Sequence, residues 1–95
     1  MVESIHEILK KNINNLRYKY PFESMALFGS VNRSDFNAAI SDIDILVDYQ
    51  SSDVMLFLKL AEDLEQLLNH KVDLVTKRSL KPRQLQYLEN QLRYV

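Results

Sequence analysis

Residues 24–49 read SMALFGSVNRSDFNAAISDIDILVDY, and this stretch decides the fold. Ser24-Met25-Ala26-Leu27-Phe28 is short and apolar and runs into Gly29, the only glycine of the chain. That pattern predicts a buried strand ending in a tight turn. Val31 to Ile40 is polar and irregular, as in a loop or a short helix. Ile43-Asp44-Ile45-Leu46-Val47-Asp48-Tyr49 is then aliphatic and β-branched, which predicts a second strand. Asp42 and Asp44 stand two residues apart along it, a spacing that puts both side chains on one face.

Upstream, Ser4 followed by Glu7 has the spacing of a helix capping box. Ile5, Ile8, Leu9 and Leu16 recur near one helical face, predicting a first helix from about Ile5 to Lys19 that stops before Pro21. Downstream, Ser52 or Asp53 is placed to cap a second helix. Its apolar stripe is Val54, Phe57, Leu58, Ala61, Leu64 and Leu68. Lys71-Val72-Asp73-Leu74-Val75-Thr76 predicts a third strand. Pro82 opens a last short helix carrying Leu85, Leu88 and Leu92. The order α-β-β-α-β-α describes one α/β unit spanning residues 1–95, with no repeat, linker or low-complexity segment.

The 95 residues weigh 11.2 kDa and fit a single domain. Hydrophobic residues make up 46% and charged residues 26%, which excludes the composition of a disordered chain. The net charge is −1, from 12 basic and 13 acidic residues, so direct nucleic-acid binding driven by bulk charge is not expected. The absence of cysteine removes disulfides, zinc–thiolate sites and cysteine nucleophiles and suits a reducing cytoplasm, the expected location. No signal-peptide core or run of roughly 18 apolar residues occurs, so no membrane partner is expected. A domain this short is marginal alone. Oligomerisation, with another chain or as a homodimer when alone, is therefore expected.

Paired carboxylates on a strand repel unless a cation lies between them. Oxygen-only ligation suits hard ions, and magnesium takes one or two carboxylates together with phosphate oxygens and water. Asp73 brings a third carboxylate from a neighbouring strand. Three such groups suit a two-metal site, in which one ion activates the attacking oxygen and the other stabilises the leaving one. A lone Asp-x-Asp is most often a solvated strand face. The Gly29-Ser30 turn shifts that balance, because backbone amides at such a turn form a nest for phosphate. Gly29 permits close approach, the Ser30 hydroxyl donates to a phosphate oxygen, and Arg33 reaches the same anion.

With these residues in view, FGSVNRSDFNAAISDIDILVDY resembles the Gly-Ser, spacer, Asp-x-Asp signature of the nucleotidyltransferase (DNA polymerase β-like) superfamily. KVDLVT resembles the strand bearing that superfamily's third carboxylate. The resemblance runs over nearly the whole chain, from LRYKYPFESMALFGS to SLKPRQLQYLENQLRYV. It is nearest to the minimal nucleotidyltransferase antitoxins of HEPN–nucleotidyltransferase (HEPN/MNT) toxin–antitoxin pairs.

The resemblance implies an α+β nucleotidyltransferase fold: a small mixed sheet of three or four strands with helices packed on one face. It implies ATP as substrate with magnesium, two ions being expected. The implied activity is transfer of AMP onto a tyrosine of a HEPN-domain ribonuclease toxin, which silences it. By position, Gly29, Ser30 and Arg33 would bind the nucleotide, while Asp42, Asp44 and Asp73 would be both metal ligands and catalytic residues. Asp73 would also help deprotonate the incoming hydroxyl.

Close relatives usually read Gly-Ser-x-Ala-Arg-Gly at the turn. Here Asn32 and Ser34 replace the small residue and the second glycine, and the spacer to Asp42 is one residue longer. A degenerate module that neutralises its HEPN partner by binding alone is the competing expectation.

Asp48 reads as a solvated strand end, and His6 and His70 as surface residues. The five tyrosines read as packing or interface positions. The Lys77, Arg78, Lys81 and Arg83 cluster reads as a solvated loop.

Overall fold

The computed structural model describes residues 2–37 and 39–95, and the side chains of residues 5–37 and 39–95. Helix α1 spans Val2–Lys19, β1 Phe22–Phe28, β2 Ile43–Tyr49, α2 Val54–Leu68, β3 Val72–Thr76, α3 Pro82–Leu88 and β4 Arg93–Tyr94. Short 3-10 turns follow β1 (Gly29–Asn32), β3 (Lys77–Ser79) and α3 (Glu89–Gln91). The four strands lie in the order β3-β2-β1-β4. β1 is antiparallel to β2 and β4, whereas β2 and β3 are parallel. This is the expected small mixed sheet.

Alternation along β2 divides its side chains between two faces. Ile43, Ile45, Val47 and Tyr49 join Ile5, Leu9 and Leu16 of α1 and Leu60 and Leu64 of α2 in the main core, with Met25 and Leu27 of β1. Asp44, Leu46 and Asp48 therefore face away from α1 and α2. Leu46 and Ala26, a cross-strand pair, are also buried but lie outside that core. The aspartates thus occupy the face that the two long helices leave uncovered.

Some expectations are corrected and some open alternatives are settled. α1 begins at Val2, ahead of Ser4, so its start is not at that residue; the Ser4 side chain itself lies outside the described residues. Asp42 stands just before β2 rather than on it. Of the stripe expected on α2, Val54 and Leu58 are exposed, while Leu60 is fully buried. The cap of α2 is Asp53, whose carboxylate accepts from the Leu56 N–H at 3.0 Å. A fourth strand follows α3, pairing Tyr94 with Ala26 and Arg93 with Leu27. No helix among the described residues is long and apolar enough to cross a membrane.

The candidate active site

The register of three strands creates the site. Asp44 of β2 lies opposite Phe28 of β1 on one side and Asp73 of β3 on the other. Directly opposed residues on adjacent strands point to the same face, with strands about 4.8 Å apart. The two carboxylates are therefore neighbours by construction. Local hydrogen bonds set this register where the parallel strands begin. The Ile43 N–H donates to the Lys71 carbonyl at 3.0 Å. The Glu65 carboxylate of α2 accepts from the Val72 N–H at 3.0 Å. α2 closes on Asn69 in the left-handed conformation (φ 50°), a conformation that asparagine tolerates.

Gly29 continues from Phe28 into the turn. Its φ is +75°, a region that disfavours side chains. A Cβ placed there would lie 2.5 Å from Asp44 Oδ2. The turn backbone thus presses directly on the central carboxylate, and only glycine permits both the conformation and the approach. Ser30 follows, half-buried, and its carbonyl accepts from the Arg33 N–H at 2.9 Å.

Asp44 is half-buried, and its carboxyl pKa is raised. Burial is the largest cause, followed by the carboxylates of Asp73 and then Asp42. All three influences disfavour the charged form. Asp73 and Asp42 are exposed, so the cluster opens to solvent on the side away from Gly29. Among the described residues, no three His, Cys, Asp or Glu side chains are arranged to hold a metal ion. The donors present, hard carboxylate oxygens with an open approach, are of the type that suits a hard divalent cation.

The structure thus brings together Gly29, Asp44 and Asp73, with Asp42 close enough to act on Asp44. Ser30 lies in the adjoining turn. Arg33 does not join the cluster as it stands: its side chain is 66% exposed and pairs with Asp35 at 3.3 Å. Such an exposed pair is weak and leaves Arg33 available to a stronger anion. Asp48 accepts from the Gln50 side-chain amide at 2.9 Å near the far end of β2 and is remote from the chemistry.

Other residues find structural uses. Arg78 donates to the Ser51 carbonyl and lies over the Tyr49 ring at 5.8 Å. Both belong to a hollow of about 160 Å³ at the opposite end of the sheet, away from the aspartate row. His6 is hydrogen-bonded to the Tyr94 carbonyl at 2.8 Å, which ties α1 to β4. His70 Nδ1 lies 2.9 Å from the Lys71 carbonyl. Asn32 is a contact residue that the sequence pattern does not reveal. It bonds to Leu27 and to Gln91, 59 positions away, and no local pattern signals such a pairing.

A glycine turn set against paired strand carboxylates, on the open face of a small mixed sheet, is an arrangement that fits phosphoryl transfer. Residues 9–95 match the nucleotidyltransferase domain family, and the chain belongs to it. It is 42% identical over 80 residues to a Methanocaldococcus jannaschii protein named provisionally as a protein adenylyltransferase, covering 83% of this chain and 92% of that one. It is 41% identical over 81 residues to the protein adenylyltransferase MntA of Thermococcus cleftensis, covering 84% of this chain and 81% of the relative.

Among solved structures, the MNT antitoxin complexed with a tri-AMPylated HEPN toxin of Shewanella oneidensis aligns with a TM-score of 0.67 at 29% identity. That alignment covers 95% of this chain and 70% of the other. A toxin–antitoxin structure with AMP-PNP aligns with a TM-score of 0.72 at 32% identity, covering 90% and 69%. The protein is therefore an enzyme of the nucleotidyltransferase family, akin to the minimal members that act in toxin–antitoxin pairs.

Proposed function

We propose that the protein transfers AMP from ATP to a tyrosine hydroxyl of a HEPN-domain toxin, and that this modification silences the toxin. The observation that carries the reading is the alignment of Gly29, Asp44 and Asp73 across adjacent segments of the sheet, supported by relatives named for protein adenylylation. The Gly29-Ser30 turn offers backbone N–H groups and a hydroxyl to the triphosphate, and Arg33 leaves Asp35 to pair with a phosphate oxygen. Asp42, Asp44 and Asp73 would hold magnesium, two ions being expected, and the metal would supply positive charge to the triphosphate and the leaving pyrophosphate.

The acceptor oxygen attacks the α-phosphorus in line, and the bond from that phosphorus to the pyrophosphate oxygen breaks. The hydroxyl proton must leave during attack. A tyrosine has an ordinary pKa of about 10, and Asp73, exposed on the edge strand, would help take up that proton. The rest of the rate comes from holding reactants in line in a fixed electrostatic frame. Incubation with ATP, magnesium and the HEPN partner tests the reading: AMP units appear on the partner and disappear with Asp42→Asn/Asp44→Asn.

A second reading has its own support. Asn32 and Ser34 stand where the resembled signature has a small residue and a glycine, and Arg33 is engaged with Asp35. A module that covers its partner without modifying it would neutralise the toxin equally well with Asp42→Asn/Asp44→Asn. Toxin-rescue assays with that double variant separate the two readings.

A further inference from the structure

We propose that Asn32 is a positioning residue that fixes the Gly29-Ser30 turn by pinning it to β1 and to the segment leading into β4. The role in nucleotide binding rests on the reading that this turn holds the triphosphate. Asn32 is the last residue of the 3-10 turn Gly29–Asn32. Its Nδ2 donates to the Leu27 carbonyl at 2.9 Å and to the Gln91 carbonyl at 3.0 Å. The first bond closes a small loop around Gly29 and Ser30, and the second braces that loop from the other end of the chain.

Two carbonyl acceptors face the same atom, so the amide orientation is fixed by chemistry: the flipped side chain would set oxygen against two oxygens. The opposite atom, Oδ1, is buried without a hydrogen-bond partner among the described residues. A buried bare acceptor is unfavourable. A small apolar residue at position 32 would avoid that cost, so the side chain's contribution lies in the two bonds made by its nitrogen.

The brace is itself anchored. Tyr94 pairs with Ala26, the Val95 N–H donates to the Met25 carbonyl at 3.0 Å, and His6 holds the Tyr94 carbonyl. The turn's geometry therefore depends on the docked C-terminal segment. A turn lacking the usual second glycine is held by a side-chain clamp.

The test compares Asn32→Ala with the nearly isosteric Asn32→Asp, which keeps the shape and removes both donors. Amide hydrogen exchange is read at Arg33, whose N–H donates to the Ser30 carbonyl, and steady-state kinetics are read with ATP, magnesium and the HEPN partner. Both variants should exchange at Arg33 about tenfold faster than the wild type. Both should raise KM for ATP about tenfold, the scale of one lost hydrogen bond, with kcat within about twofold. Unchanged exchange and KM in both variants would overturn the proposal. Equal losses in kcat and melting temperature without a change in KM, or unfolding of both variants, would assign Asn32 a general structural role and overturn it as well. If the wild type transfers no AMP, the transfer reading fails, while the exchange at Arg33 still judges the clamp.

Discussion

Because burial and the carboxylates of Asp73 and Asp42 raise the Asp44 pKa, the folded chain holds a proton there more tightly than the unfolded chain does. Stability therefore falls as pH rises from the ordinary value of 3.8 through the raised one, and the deficit persists at neutral pH. Asp44→Asn removes the charge at every pH. Its denaturation midpoint at pH 7 in metal-free buffer is expected to exceed that of the wild type, with the gap narrowing as pH falls through the carboxylate range. In the same variant, AMP transfer should drop by about 10²-fold or more. Gly29 makes the opposite trade. Gly29→Ala places a Cβ against Asp44 Oδ2 at positive φ, so urea denaturation should show a loss of about 1–2 kcal/mol from the backbone alone, together with weakened ATP binding. This part of the site was legible in the sequence: one glycine after an apolar run and two aspartates two apart are local signals. That Asp44 lies opposite Asp73 was not, because strand register depends on residues distant in sequence.

At the scale of elements, two ties hold the helices that back the sheet. Tyr20, buried just after α1, donates its hydroxyl to the Asp63 carboxylate of α2. Burial first, then this bond and the charges of Asp63 and Glu62, push its pKa up to about 12. The sign follows from linkage: the bond's contribution is fully present below the unfolded value of 10.0 and is lost as pH rises through about 12. Tyr20→Phe should cost about 1.5–3 kcal/mol at pH 7, and its difference from the wild type should vanish in strongly alkaline solution. Asp53→Ala, which uncaps α2, should cost about 1 kcal/mol, read as a lower thermal midpoint.

The element order up to α3 was legible because apolar runs, Gly29 and Pro82 punctuate it. The inward face of α2 was not. Its first turns, Val54-Met55-Leu56-Phe57-Leu58, are apolar nearly all round, so periodicity alone admits more than one face. Packing against the sheet selected Leu60 and Leu64 and left Val54, Met55 and Leu58 exposed. β4 contains two residues, too few to show a period, and exists because β1 offers a free edge.

On the scale of the whole molecule, α1 and α2 cover one face of the sheet and leave the aspartate row on the other. The exposed carboxylates of Asp42 and Asp73 leave that row open to a macromolecular acceptor, and the family relationship makes a nucleotide triphosphate the reasonable donor. The proposed activity is transfer of AMP from this row to a HEPN partner. Its most direct test is the intact mass of that partner after incubation with the protein, ATP and magnesium, alongside the Asp42→Asn/Asp44→Asn variant. Added AMP units are expected with the wild type and none with the variant. An unmodified partner held in a stable, neutralised complex by both proteins would contradict it.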